Sequence, residues 1–227
     1  MFTTVGTPVE LNDLRGVTKD KGRVYKIREE NEKQIWYPSV TTVTGVRKKD
    51  SIAKWRKKVG EEEANRICNA ASTRGEKFHS MVESYLKNEK VEFTNAAKSV
   101  LAEMLFRSAK KDIHRIDNIH CIEAPLYSDT LRLAGRVDCI AEFDGELAVI
   151  DFKTSTRAKK FEWIENYLVQ ETAYAVMYYE RCGIQVKKIV TLVAVEDGQV
   201  QVFEEYDLEK YYNLLLEYID EYMESIK

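Results

Sequence analysis

Cysteine is sparse and scattered. The chain of 227 residues carries four, Cys68, Cys121, Cys139 and Cys182, and no two form a Cys-x-x-Cys pair. That spacing argues against a zinc ribbon and offers no disulfide framework of a secreted domain, so a reduced, intracellular protein is expected. Only three prolines occur, and no Pro/Gly-rich tract, repeat or low-complexity segment marks a linker. No apolar run approaches the roughly 18 residues of a membrane span, and the first residues lack a signal-peptide pattern. An excess of one charge is missing too. The net charge is −3, so nothing global announces a polyanion partner. With 44% hydrophobic residues, the chain can bury a core unaided, and one domain over residues 1–227 is the expectation.

What the totals lack, one segment supplies. RKKDSIAKWRKK, from Arg47 to Lys58, holds seven basic residues, one aspartate and one tryptophan. Such a run tracks a phosphate backbone or forms a solvated helix face, and taken alone it favours neither. The stretch from Glu204 onward is strongly acidic.

Periodicity and turn signals divide the rest. Residues 23–37 read as a small hairpin, Pro38 and Ser39 as the entry to a short helix, and Ser51 as the cap of a basic helical stretch. Helices are expected over 61–88 and 95–111, and strands at about 119–127, 131–143 and 146–153. A helix over 161–182 stops at Gly183. A hairpin follows, turning at Asp197-Gly198, and an amphipathic helix closes the chain from Asp207. The crossover through 161–182 places the strand near 187–195 parallel to an earlier one. The class is α/β, a mixed sheet flanked by helices.

The segment GRVDCIAEFDGELAVIDFKTS, residues 135–155, carries the chemistry. Asp144-Gly145 between apolar runs is the strongest short hairpin signal, because a type I′ turn needs φ > 0 at both central positions. Phe143 then faces Glu146 and, with no bulge, Asp138 faces Asp151. Like charges at a cross-strand distance of roughly 4.5–5.5 Å destabilise a strand pair. A bound divalent cation reverses that sign, since it needs clustered carboxylate oxygens. Lys153 leaves the same face as Asp151, where its ammonium can neutralise developing phosphate charge. Asp-x-Lys alone is more often an exposed strand end with a salt bridge; the opposed aspartates favour catalysis.

Upstream, His79, Val82, Glu83 and Leu86 form one helical stripe. A histidine on such a stripe is more often a boundary residue than a ligand. Arg74-Gly75 reads as a helix start where an arginine and free N–H groups could meet a phosphate. Trp36, Tyr37 and Trp55 could stack on bases or belong to the core.

Taken in order, Arg74-Gly75, His79 and Glu83, then Glu123 in Glu-x-Pro-Leu, Asp138 in Gly-Arg-Val-Asp, Asp151, Lys153 and Thr154 in Ile-Asp-Phe-Lys-Thr, then Gln170 and Tyr174, resemble the RecB-like branch of the PD-(D/E)XK nucleases. The likeness spans about residues 73–180. With PSVTT at 38–42, it is most similar to the mitochondrial genome maintenance exonuclease group and its phage relatives. The resemblance implies a restriction-endonuclease-like core of αβββαβ order at 61–206, with an N-terminal hairpin and basic helical elaboration at 1–60 and a C-terminal helix at 207–227. It implies that His79, Asp138, Asp151 and the backbone carbonyl of Phe152 bind metal, and that Lys153 is the catalytic lysine. Glu123 takes a supporting or second-metal role. Gln170 and Tyr174 contact substrate or order the site, and Ser39, Thr41, Thr42, Arg74 and Thr154 contact DNA; a plain helix cap is the alternative for Ser39.

The expected activity is metal-dependent hydrolysis of DNA by an exonuclease on single strands or ends, using Mg²⁺ or Mn²⁺, in replication, recombination or repair. Partners would be DNA and replication or recombination proteins, with no membrane. An endonuclease or flap nuclease of the same fold, or an inactive DNA-binding module, is the alternative. RecB-like nucleases often hold an iron–sulfur cluster on four cysteines; the four scattered thiols here lead to no cluster being expected. With no Arg-rich transit segment at the start, a phage-encoded enzyme in bacterial cytoplasm is favoured over an organellar one.

Overall fold

A computed structural model describes residues 1–93 and 97–227. The chain opens with an antiparallel sheet of β1 (Arg15–Lys19), β2 (Gly22–Glu30) and β3 (Lys33–Pro38). Four helices follow: α1 (Val40–Thr44), α2 (Lys49–Val59), α3 (Glu61–Leu86) and α4 (Ala97–Ile113). Next come β4 (Ile116–Ser128), β5 (Leu133–Phe143) and β6 (Glu146–Ser155), then α5 (Glu165–Cys182). The chain ends with β7 (Lys188–Val195), β8 (Val200–Glu205) and α6 (Leu208–Ser225). The five strands β4–β8 form one sheet in sequence order, antiparallel except for the parallel β6–β7 pair. A helix between two strands is what allows that parallel step. The mixed α/β sheet is as expected.

The β5–β6 turn forms as its two residues dictate. Asp144 and Gly145 adopt φ of +54° and +82°, and Phe143 pairs with Glu146. Pairing continues only to Cys139–Ile150. Beyond it the strands part, so Asp138 and Asp151 are not ladder partners as the bulge-free register predicts. The carboxylate of Asp138 instead accepts a hydrogen bond from the Phe152 N–H at 2.9 Å.

β6 lies at the centre of the sheet, and its residues from Ala148 to Phe152 are buried. Two-residue alternation sends its apolar side chains to both faces. Ala148, Ile150 and Phe152 join a cluster with Phe78, Val82 and Leu105 of α3 and α4. Val149 joins Leu168, Val169 and Tyr178 of α5 and Leu215 of α6. Asp151 and Lys153 continue the Val149 series, which places them under α5.

The helix expected over 61–88 forms as α3, but two local readings, the Ser51 cap and the helix start at Arg74-Gly75, do not hold. α2 starts at Lys49, and Ser51 lies inside it with its hydroxyl donating to the Lys48 carbonyl, so it caps nothing. α3 begins at Glu61, after Gly60 in a φ of +88°. Arg74-Gly75 therefore sits mid-helix, where its N–H groups belong to the helix ladder rather than to a phosphate. The expected helix start at residue 95 lies outside the described residues. α6 packs as an amphipathic closure, and Arg47 from the basic run pairs with its Glu217 and Glu221. Part of that run is thus structural.

Candidate active site

Where β5 parts from β6, it stays with β4. The pairs Ile122–Cys139 and Ala124–Val137 flank Glu123 and set it opposite Asp138. Glu123 has a φ of +49°, a backbone uncommon for a residue with a side chain and costly enough to mark a site. From α3, His79 reaches both acids: its Nδ1 lies 3.5 Å from Asp138 Oδ2 and 3.8 Å from Glu123 Oε1. One ligand atom from each of the three residues falls within 4.8 Å of the other two. Gly75, Ser80 and Glu83 complete an open concavity of about 490 Å³ around them. Glu83 itself pairs with Lys87 on its own helix.

The electrostatics of this group fit a cation. Burial alone would lower the basicity of His79, but Asp138 and Glu123 outweigh it and raise the imidazole above its ordinary value. Among the described residues, no lysine or arginine side chain forms an ion pair with Glu123 or Asp138. Two carboxylates and an imidazole, gathered at one rim, form a donor set suited to Mg²⁺, Mn²⁺ and similar ions.

Asp151 stands beside this group but outside it. It is 2% exposed, with Oδ2 in an ion pair with the Lys153 ammonium and Oδ1 accepting from Gln170 Nε2 at 3.1 Å. Burial pushes its carboxyl up to about 6, with Lys153 opposing. The Lys153 ammonium is raised above its usual range; burial works against it, and Asp151 and Asp138 prevail. Phe152 engages Asp138 through its N–H.

The remaining predicted residues divide. Arg74 reaches the same strand: its Nε donates to Thr154 Oγ1 at 3.1 Å, and its guanidinium pairs with Glu196. Tyr174 is buried, one turn after Gln170, with its ring against Gly135. Ser39 is the α1 cap, accepting from the Thr42 N–H at 3.0 Å, and its hydroxyl also bonds Thr41 and Thr42. The Thr42 hydroxyl accepts from the Arg23 N–H. These hydroxyls bond one another and the Arg23 N–H, and Ser39 serves as the helix cap. Tyr37 is core, donating to Asp129, and Trp36 lies 4.3 Å beneath the Lys19 ammonium.

Sequence patterns gave no sign of Tyr167, whose ring centre is 5.2 Å from the Lys153 ammonium, or of Glu196. Neither belongs to a motif. Both are brought in by the crossover and by β7.

A family model described as the PD-(D/E)XK nuclease superfamily matches residues 53–227. Among named relatives, mitochondrial genome maintenance exonuclease 1 of Homo sapiens is 26% identical over 155 residues, covering 65% of this chain and 44% of that protein. The Mus musculus counterpart is 26% identical over 187 residues, 78% of this chain and 54% of its own length. The chain thus spans about half the length of these relatives. A crystal structure of a candidate exonuclease from Eubacterium rectale superposes with a TM-score of 0.49 at 13% identity, over 69% of this chain and 66% of that one.

Proposed function

Because this chain belongs to the PD-(D/E)XK nuclease superfamily, we propose that it is a divalent-metal-dependent deoxyribonuclease, an exonuclease acting on single-stranded DNA or DNA ends. The observation that carries this reading is the meeting of His79, Glu123 and Asp138 at one rim, beside the Asp151–Lys153 pair. The exonuclease names of the relatives favour attack at ends.

In this reading His79, Glu123 and Asp138 would hold Mg²⁺ or Mn²⁺, with Asp151 and the Phe152 carbonyl as the further donors. Such an ion would supply an activated water and neutralise phosphate charge. The imidazole ligand tilts the preference toward Mn²⁺. Lys153 stays protonated and is placed to stabilise negative charge developing on the phosphoryl oxygens. Gln170 fixes the orientation of the Asp151 carboxylate by donating to Oδ1. Tyr174 keeps α5 in register against Gly135, so that Gln170 reaches its partner. Arg74, tied to Thr154 next to the catalytic lysine, is a cation placed to meet the substrate backbone. Backbone charge rather than base identity would supply affinity, making cleavage weakly sequence-dependent and salt-sensitive.

The experiment is digestion of linear and circular single-stranded DNA of one sequence with Mg²⁺ or Mn²⁺. Loss of the linear form alone supports an exonuclease. Cutting of the circle makes the protein an endonuclease, and no cutting of either removes the proposed activity on single strands.

A further inference from the structure

The strand bearing Asp151 and Lys153 runs directly into Thr156-Arg157-Ala158-Lys159-Lys160 and a short 3-10 turn, Phe161–Trp163. Three cations and two aromatic rings fall in this stretch, with Glu162 its one acid. Both rings are left in solvent: Phe161 is 42% exposed and Trp163 44%. The Arg157 guanidinium lies 5.3 Å from the centre of the Trp163 ring, and the Lys160 ammonium 5.7 Å. An exposed indole flanked by cations is the arrangement on which an unpaired base stacks while its phosphates are neutralised.

A second observation joins this loop to the catalytic lysine. The Tyr167 ring lies 5.2 Å from the Lys153 ammonium and 5.5 Å from that of Lys48. Lys48 arrives from the segment before α2 and donates to Asn166 Oδ1 at 2.5 Å. Its ammonium is less basic than usual, first through burial and then through Lys159, with Glu165 partly opposing. Lys159 is lowered by burial and by Arg157. The loop is also fixed in place, because the Gln201 side chain bonds both the N–H of Lys159 at 2.6 Å and its carbonyl at 2.9 Å. Among the described residues, none of Lys48, Arg157, Lys159 and Lys160 has an ion-pair partner, whereas Arg47 and Arg56 of the same basic run do. Lysines without an ion-pair partner, one of them on a backbone pinned by Gln201, form a place for an anion.

We infer that Lys48, Lys159 and Tyr167 seat a backbone phosphate next to the one cleaved, and that Trp163 stacks a base of the same strand. The inference deepens the nuclease reading and rests on it: the occupant is single-stranded DNA, since duplex bases offer no free face to the indole. Tyr167 is the bridge, one ring shared by the cation of the chemistry and the cation of the subsite.

The test is equilibrium binding of fluorescein-labelled oligothymidylate to the full chain in EDTA, followed by anisotropy over a range of salt concentrations. Wild type should bind with a linear log–log salt dependence. Lys48→Gln/Lys159→Gln should lower affinity about tenfold and make the slope less negative by about 0.7 for each phosphate no longer neutralised. Lys48→Arg/Lys159→Arg should restore the slope. Trp163→Ala should weaken binding roughly 5- to 150-fold, the cost of one missing stack, without altering the slope. Lys111→Gln on α4, across the sheet, should change neither. An unchanged slope in the Gln pair, or an equal change in Lys111→Gln, would overturn the phosphate seat. Full affinity in Trp163→Ala would overturn the base platform. No binding by wild type would instead sink the single-strand nuclease reading, and matching thermal melts exclude unfolding as the cause of any loss.

Discussion

Asp138 accepts the N–H of Phe152 at 2.9 Å, so a carboxylate takes the place of a ladder carbonyl at the point where β5 and β6 separate. The same oxygen, Oδ2, bridges the two parting strands and lies 3.5 Å from His79 Nδ1, and the side chain stands opposite Glu123. The two roles can be parted. Asp138→Asn keeps an acceptor for Phe152, which is 2% exposed, whereas Asp138→Ala leaves a buried N–H unsatisfied at a cost of about 1–3 kcal/mol. Both variants should lose cleavage, and only Ala should lose that much stability in urea. Equal destabilisation by Asn would show that the hydrogen bond does not hold the strands.

Gly135 is required by proximity rather than by backbone conformation. A Cβ there would stand 2.6 Å from the Tyr174 hydroxyl and 2.9 Å from Cε1 of its ring. Gly135→Ala should destabilise by about 1–3 kcal/mol through overpacking. It should also slow cleavage, because α5 carries Gln170 one turn away. Tyr174→Phe removes the nearest atom, so the double variant should cost less than the sum of the two singles in denaturant melts. Strict additivity would mean that the two residues do not meet.

Glu171 sits fully buried beneath Asp151. One oxygen accepts from the Thr191 hydroxyl, and the other has no hydrogen-bond partner among the described residues. Burial, with Asp151 adding to it, raises this carboxyl well above its ordinary value of 4.5. The folded state therefore holds a proton that the unfolded chain releases, and the stability it contributes is lost as pH rises from about 4.5 toward the folded-state value. Glu171→Gln keeps the acceptor for Thr191 and removes the titration. Its melting temperature should gain on wild type as pH rises above about 4.5. A pH-independent difference would show that Glu171 titrates normally.

Much of the scaffold was legible because it rests on local chemistry. Asp144-Gly145 gives the hairpin, the apolar run before Asp151 gives the central strand, and Gly183, with a φ of +70°, ends α5 as expected. What escaped was set by tertiary packing. The parting of the strands at Asp138 leaves no trace in a two-residue period. The cross-strand neighbour of Asp138 is Glu123, set there by the β4–β5 register, which the hairpin signal between β5 and β6 does not reveal. Arg74-Gly75, read as a helix start, lies inside the long α3, which runs from Glu61 to Leu86. The unpaired state of Lys48 and Lys159 depends on which acids fold beside them, and composition cannot show that.

The most direct measurement is degradation of end-labelled single-stranded DNA with Mn²⁺, Mg²⁺ or EDTA, for wild type, Asp138→Asn and Lys153→Ala. Metal-dependent release of nucleotides by wild type is predicted, with a loss of at least about 10²-fold in each variant and none of it in EDTA. Cleavage that persists in EDTA, or at full rate in Asp138→Asn, would contradict the assignment of this rim as the metal-dependent active site.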